Sequence, residues 1–140
     1  TGNTVVVDGT DLVGAETAWY LATSGRKVTL IDSRDDFGED INLVSRLVVP
    51  DALNDAGALV LFGYKIVGSE SGALIVDRGD GPKPIEADTL VTTNGLQPAP
   101  TTQAEIIARD GMRIHRIGEA AGLMGLRWAT QTGDDVARGL

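Results

Sequence analysis

The chain of 140 residues contains no cysteine and only one histidine, His115. Without cysteine it has no redox disulfide, thiolate nucleophile, iron–sulfur cluster or cysteine zinc site. A single histidine cannot build a multi-histidine metal site, and the alternation of residues 113–117 makes His115 a surface or packing residue in our interpretation. If electrons move in this protein, a bound organic cofactor must carry them.

Basic residues are also scarce, with 12 Lys and Arg against 20 Asp and Glu, a net charge of -8. This balance argues against a nucleic-acid partner, whose phosphates need a basic face. No apolar run approaches the roughly 18 residues of a membrane span, and the first residues have no signal-peptide character. We therefore expect no membrane partner and a cytoplasmic location.

Paired acids occur at Asp35-Asp36 and at Asp134-Asp135. Adjacent acids on a helix point in different directions, so we interpret both pairs as solvated surface. We accordingly assign no metal site and no catalytic residue.

The first thirty residues have the pattern of a βαβ unit. Residues 4–7 are a β-branched run typical of a buried strand, and residues 12–24 predict a helix with Gly14, Ala18 and Leu21 on one face. Gly25 suits the left-handed position that ends a helix, and a second strand at 27–31 closes with Asp32.

A second helix is expected from about residue 39 to 56, with Ile41, Val44 and Val48 on one face. Pro50 should kink or break it, because its ring cannot donate a hydrogen bond. Gly57 again suits a helix end, followed by a third buried strand at 58–62.

The rest of the chain predicts shorter elements. After the third strand, the chain is too short for another helix before residue 88 and predicts an antiparallel meander. The expected elements are strands at 64–69, 73–77, near Ile85 and at 88–93, a linker at 97–102, a helix at 102–109, a strand at 113–117 and a helix at 126–138.

These elements together indicate the α/β class. We expect a three-layer Rossmann-like nucleotide-binding domain, in which a central parallel sheet carries helices and an antiparallel β-meander. The domain should span residues 1–100, and residues 101–140 form a separate C-terminal segment.

A strand, a glycine turn and a helix indicate the dinucleotide fingerprint G-x-G-x-x-G. Here it comprises Gly9, Thr10, Asp11, Leu12, Val13 and Gly14, so the middle glycine is replaced by Asp11. A carboxylate about 5 Å from a phosphate costs about 3 kcal/mol at an effective dielectric near 20. Asp11 is also a good helix N-cap that would occupy the amides meant for phosphate. The sequence therefore leaves two alternatives open: the turn binds dinucleotide, or it binds dinucleotide weakly or not at all.

Asp32 stands at the end of the second strand, 23 residues after Gly9. An acid there accepts hydrogen bonds from the adenosine ribose and repels a 2′-phosphate, which favours NAD(H) over NADP(H). Ser33 and Arg34 qualify this preference, because Arg34 can stack on adenine or bind a phosphate. The alternative is that Asp32 is simply a polar strand end.

Three stretches of the sequence stand in a characteristic order and spacing: residues 13–22 with Gly25 and 28–32, then 86–95 with Pro98, and finally 116–120. Together they resemble the nicotinamide-nucleotide domain of flavoproteins of the 2,4-dienoyl-CoA reductase and trimethylamine dehydrogenase type, in the old-yellow-enzyme superfamily. The resemblance covers nearly the whole chain.

By this resemblance, nucleotide binding maps to Gly9, Gly14 and Asp32, with Asn94 and Gly95 in the turn after the last strand. Glu16 would lie near the nicotinamide edge, or else is a helix carboxylate satisfied by a neighbouring loop.

The resemblance also implies what lies outside this chain. Such enzymes hold FMN in a barrel, often with an iron–sulfur cluster, and FAD in a domain into which the nicotinamide domain is inserted. The implied partner is a flavin-binding domain or subunit, to which residues 101–140 would return, and the chain alone is not expected to be catalytic.

The sequence departs from the family at Asp11, at Asn94, where threonine is usual, and at Glu119, which replaces the aspartate that meets the flavin ribityl chain. These departures leave two functions open: presenting NADH to a flavin, or a nucleotide-free structural module. We also predict that residues 123–128 mediate self-association into a homo-oligomer or docking to a partner.

Overall fold

The computed structural model describes residues 2–38, 41–93, 113–122 and 125–139. The chain divides into two compact units, residues 1–95 and 96–140. The predicted linker at 97–102 and helix at 102–109, together with Asn94, Gly95 and residues 123–124, lie outside the described residues. Among the described helices, none has both the length and the apolar character needed to cross a membrane.

The first unit alternates strands and helices before it turns into a run of strands. Its elements in chain order are β1 (Thr4–Asp8), α1 (Leu12–Thr23), β2 (Lys27–Asp32), α2 (Leu43–Asp55), β3 (Leu59–Phe62), β4 (Lys65–Glu70), β5 (Ala73–Asp77), β6 (Lys83–Glu86) and β7 (Thr89–Thr92).

Four of these strands form a parallel sheet in the order β3-β2-β1-β7. In its register, Val5 of β1 lies beside Val28 of β2 and Thr89 of β7. The chain therefore moves from β1 toward one edge and returns to the opposite side of β1 with β7. That reversal of strand order falls between β1 and β7.

Side-chain alternation along β1 divides the core into two layers. Val5 and Val7 are buried on the side of α1 and α2, whereas Val6 is buried on the opposite side with Ile31. On that opposite side, β4, β5 and β6 form an antiparallel sheet that contributes the buried Leu74 and Val76. The predicted three-layer α/β fold with its β-meander is confirmed.

Helix α1 has the predicted position and the predicted ends. Asp11 caps its first turn, and Gly25 follows it with a φ of 83°. The buried residues of α1 are all small: Gly14, Ala15, Ala18 and Ala22. Small side chains let the helix lie close to the sheet, as the sequence indicated.

Helix α2 differs from its prediction in three respects. It begins only at Leu43, capped by Asn42, and it continues through Pro50. The predicted core face is also wrong, because Val44 and Val48 are exposed while Leu53 is buried. Ile41 is buried, but it lies before the helix, so it does not fix which side of the helix faces inward.

Two predicted strands also need correction. β3 is present but is not buried, because it is an edge strand whose Leu59 is 54% exposed. Residues 113–117 are not a strand, since the described residues give them no strand neighbour. His115 within this segment is exposed.

The second unit contains a short 3-10 helix, Gly118–Ala121, and helix α3, Leu126–Gly139. The Gly118 amide donates to Thr132 Oγ1 at 2.9 Å. A Cβ on Gly118 would lie 3.2 Å from Ala129, so the glycine allows close packing of the two elements. The predicted final helix is confirmed.

The orientation of α2 can be tested with a matched pair of truncations. We expect Leu53→Ala to lower the free energy of unfolding by about 2–5 kcal/mol, because it removes buried methyl groups. Leu47→Ala on the exposed side of the same helix should change it by less than about 0.5 kcal/mol. Urea denaturation of the dilute protein measures both, and equal losses would contradict the orientation.

Candidate functional site

The turn between β1 and α1 depends on two glycines. Gly9 adopts a φ of 129°, in the region that favours glycine, and its amide donates to the Ile31 carbonyl at 2.9 Å. A Cβ on Gly14 would lie 1.8 Å from the Gly9 carbonyl oxygen and 2.8 Å from Thr93 Oγ1. The first turn of the helix therefore touches the backbone of the turn directly, as in a dinucleotide-binding βα turn.

The Asp11 carboxylate lies at the N-terminus of α1. Its Oδ1 accepts the Gly14 amide at 2.7 Å and the Thr93 hydroxyl at 3.0 Å. The cap expected from the sequence is present, and the chain supplies its own anion to the positive end of the helix. Within the described residues, the amides of Asp11 and Val13 have no hydrogen-bond partner.

Thr10 is fully buried beneath the loop that follows β2. Its carbonyl accepts the Gly38 amide at 2.8 Å, and its hydroxyl donates to Asp32 Oδ2 at 2.9 Å. The sequence placed Thr10 in the nucleotide turn only by its position in the motif. In the structure it joins the turn to the end of β2.

Both carboxylate oxygens of Asp32, which is 2% exposed, accept hydrogen bonds. Oδ2 accepts from the Thr10 amide at 2.8 Å and from Arg34 Nη2 at 2.7 Å, and Oδ1 accepts the Arg34 amide at 2.9 Å. Burial alone would raise the pKa of Asp32, but the hydrogen bonds from Arg34 and Thr10 outweigh it and lower the pKa to about 2. The group is an ionised, internally satisfied carboxylate.

Arg46 of α2 holds the loop after β2 in place, a role that the sequence analysis missed. Its guanidinium donates to the carbonyls of Phe37 and Gly38 at 2.9 Å and pairs with Asp36 Oδ2 at 2.9 Å. Its Nε also donates to the Ile41 carbonyl. The sequence does offer one signal for this role, because Arg46 stands between apolar residues of a predicted helix. The hydrogen-bond partners of Arg46 could not be predicted, since they depend on the path of the loop.

The remaining predicted site residues are distributed around this turn. Leu12 packs against the core, whereas Val13 and Glu16 are exposed on α1 and border a shallow groove that reaches Val91 of β7. Ser33 is exposed, and the side chain of Arg34 is 45% exposed. Asn94 and Gly95 lie outside the described residues, but the preceding Thr93 donates its amide to the Asp8 carbonyl at 2.9 Å.

The turn, Asp32 and Thr93 all lie at the carboxyl ends of parallel strands, beside the point where strand order reverses. That edge is where open α/β sheets bind ligands. Within the described ranges, no group of three or more histidine or acidic side chains is placed to hold a metal ion. The arrangement offers a helix N-terminus, glycine backbone and two carboxylates, which are the elements of a binding site.

Comparison with known proteins supports this geometry. A family model described as pyridine nucleotide-disulphide oxidoreductase matches residues 1–120. The chain is 30% identical over 135 residues to an NADH oxidase of Thermoanaerobacter brockii, covering 95% of this chain and 21% of the relative.

Two solved structures superpose on all or most of this chain. Histamine dehydrogenase from Rhizobium sp. 4-9 superposes with a TM-score of 0.75 at 23% identity, covering 100% of this chain and 23% of that one. The 6-hydroxypseudooxynicotine amine oxidase of Pseudomonas geniculata N1 gives a TM-score of 0.72 at 27% identity, covering 94% and 21%. The chain thus spans about a fifth of the length of these proteins.

The contact at Gly14 predicts a large effect of a single methyl group. We expect Gly14→Ala to lower the free energy of unfolding by about 3 kcal/mol or more, because the new Cβ would meet backbone rather than a movable side chain. Gly68→Ala is the control, since its Cβ would lie 3.9 Å from Ile75. Urea denaturation of both variants tests this, and a Gly14→Ala protein as stable as the control would contradict it.

The pKa of Asp32 predicts how stability changes with pH. The pKa of Asp32 in the folded protein is about 2, below the ordinary value of 3.8. Its contribution to the free energy of unfolding is therefore fully present above pH 3.8 and is lost as the pH falls through 2. The difference in unfolding free energy between wild type and Asp32→Asn should shrink by about 2 kcal/mol between about pH 5 and pH 2. A constant difference for Asp32→Asn would contradict the assignment.

Proposed function

We propose a pyridine-nucleotide-binding function from the premise that the chain belongs to the pyridine nucleotide-disulphide oxidoreductase family. It is a domain of the pyridine-nucleotide and flavin oxidoreductase type, homologous to NADH oxidase. Its solved neighbours are of the 2,4-dienoyl-CoA reductase and trimethylamine dehydrogenase type, so the resemblance found in the sequence is confirmed. In our proposal the domain binds the ADP half of NADH and presents the nicotinamide to a flavin held elsewhere.

The observation that carries this proposal is the contact between Gly14 and the Gly9 carbonyl. A helix that starts this close to a strand end directs its first amides at a bound pyrophosphate. The chain has no cysteine, so the disulfide chemistry in the family's name has no residue here to perform it. Bound NADH supplies the hydride chemistry, and this chain's residues supply binding and orientation.

The backbone of the turn fits a dinucleotide, whereas the side chain of Asp11 opposes one. The Val13 amide and the positive end of α1 favour a phosphate, whereas the Asp11 carboxylate opposes it through like charge. We propose that Asp11 turns aside when nucleotide binds, leaving the Gly14 amide to the phosphate. Glu16, exposed on the same helix, would then lie toward the nicotinamide, and Asn94 and Gly95 would complete the turn after β7.

For the adenosine end we propose NAD(H) in preference to NADP(H). Asp32 is ionised at neutral pH, and an acid at the end of β2 hydrogen-bonds a ribose and repels a 2′-phosphate. Its oxygens are occupied by Arg34 and Thr10, so ribose binding requires Arg34 to move away. The charge of Arg34 beside Asp32 makes the expected preference modest. Ser33 lies next to this position.

The flavin, FAD or FMN, is proposed to reside in a separate flavin-binding domain or subunit. The relatives are about four to five times as long as the stretch that matches this chain. We propose that residues 101–140 correspond to the segment in which the chain of such enzymes returns to the flavin-binding domain. Glu119, at the position where the family has a flavin-facing aspartate, is exposed in the 3-10 helix. A cytoplasmic location accompanies this proposal, and we expect no catalysis by the chain alone.

A nucleotide-free structural module is the second candidate function. The observation in its favour is that both acids of the site are satisfied by the protein itself. Asp11 takes the Gly14 amide, and Asp32 takes Thr10 and Arg34. Such a module would keep the fold as a packing surface for an oxidoreductase core without binding nucleotide.

Calorimetric titration with NADH, NADPH and ADP distinguishes the two functions. We expect weak, saturable binding with NADH preferred over NADPH, because Asp32 disfavours the 2′-phosphate. Asp11→Gly should tighten NADH binding by about a hundredfold, the factor that corresponds to removing about 3 kcal/mol of repulsion. Asp32→Ala should weaken it.

Asn42→Gly is the matched control, because it removes the N-cap of α2 in the same way but away from the turn. It should leave NADH affinity unchanged. No heat from wild type or from Asp11→Gly up to millimolar ligand, with both proteins folded in a thermal melt, would favour the structural module.

A further inference from the structure

The chain crosses from the parallel sheet to the antiparallel sheet at residues 63 and 64, between β3 and β4. The Gly63 amide donates to the Arg34 carbonyl at 2.9 Å, and the Tyr64 amide donates to the Asp32 carbonyl at 2.9 Å. We call residues 63–64 the β3–β4 crossing. These hydrogen bonds hold the crossing directly beside Asp32, where the proposed function places the adenosine ribose.

The side chain of Arg78, the residue after β5, extends to this crossing. A Cβ on Gly63 would lie 3.1 Å from Arg78 Nε. The guanidinium carbon of Arg78 lies over the ring of Tyr64, 5.8 Å from the ring centroid, which is the geometry of a cation–π contact. Arg78 is also exposed, so a ligand can reach its guanidinium.

The strand order sets the direction of a dinucleotide bound at this edge of the sheet. In the order β3-β2-β1-β7, the glycine turn follows β1 and Asp32 ends β2. A pyrophosphate at the turn with its ribose at Asp32 runs from β1 toward β2, so the base on that ribose continues toward the end of β3. The β3–β4 crossing and the guanidinium of Arg78 lie at the end of β3.

We propose that Arg78 is the adenine-binding residue of this domain, and that its guanidinium, supported by Tyr64, stacks on the adenine ring of the dinucleotide. A guanidinium is planar and stacks on aromatic rings, whereas the ammonium of lysine is a compact point charge. This inference rests on the proposed function, because it requires a dinucleotide bound at the glycine turn.

Two arginines lie near Asp32, and the structure distinguishes their roles. Arg34, which the sequence analysis considered as an adenine or phosphate contact, donates from Nε and Nη2 to Asp32 Oδ2 at 3.1 and 2.7 Å. Its guanidinium is therefore directed at the ribose position. Arg78 lies against Tyr64 instead, one strand further along the sheet edge. A stack there strengthens binding of the ADP half without selecting between NADH and NADPH.

Calorimetric titration of the 140-residue chain with ADP and with NADH tests the stack. Both wild type and Asp11→Gly serve as parent chains, because Asp11→Gly is expected to bind more tightly. Arg78→Met should raise the dissociation constants of both ligands about fivefold, because it keeps a flexible stem and removes the planar group. Arg78→Lys should raise them by the same factor, because an ammonium keeps the charge and loses the plane.

Tyr64 and Lys27 provide matched controls. Tyr64→Leu removes the support of the guanidinium and should weaken both ligands, whereas Tyr64→Phe keeps the ring and should leave both dissociation constants unchanged. Lys27→Met removes an exposed positive charge at the start of β2, at the opposite end of the strand from Asp32, and should also change neither. Circular dichroism melts check that each variant is folded.

Three outcomes would overturn the inference, and they are distinguishable. An Arg78→Met chain that binds ADP and NADH as tightly as its parent would exclude the stack and leave the proposed function standing. Weakening by Arg78→Met that is absent in Arg78→Lys would show a charge contact to phosphate in place of the stack. No heat from either parent chain with either ligand would overturn the proposed function and the adenine site with it.

Discussion

The contact between the Gly14 backbone and the Gly9 carbonyl oxygen determines how α1 lies on the sheet. Because no side chain separates them, α1 can bury only glycine and alanine and still cover Val5 and Val7 of β1. The same closeness brings the Asp11 cap within reach of Thr93 at the end of β7. The absence of a Cβ atom at Gly14 therefore allows the end of β1, the start of α1 and the end of β7 to lie close together.

Local signals in the sequence were enough for the elements around this contact. β-branched runs, a capping residue and glycines in positive-φ positions act over a few residues, so β1, α1, β2 and the meander were predicted at nearly their true bounds. Helix α2 was different, because its most hydrophobic residues were assumed to face the core and instead face solvent. An exposed apolar face cannot be recognised from periodicity, which reports only that one side of a helix differs from the other.

The candidate site was predictable in position but not in its internal contacts. Gly9, Asp11 and Asp32 follow from the motif and its spacing, and the cap made by Asp11 follows from its residue type. The network that joins Thr10, Asp32, Arg34 and Arg46 depends on how the loop after β2 folds back over the turn, and no short-range pattern encodes that path. The result is a site in which the carboxylates of Asp11 and Asp32 are already hydrogen-bonded by the protein, so a ligand must displace existing partners to reach either acid.

The Asp11 cap also bears on how this domain could change over generations. Among the described residues, its side chain hydrogen-bonds to the Gly14 amide and the Thr93 hydroxyl, and it is not part of the buried hydrophobic core. Aspartate and glycine codons differ by a single base, and glycine is itself an acceptable N-cap. One point mutation would therefore restore the three-glycine turn on an otherwise unaltered scaffold. The single substitution Asp11→Gly would thus give the complete G-x-G-x-x-G motif.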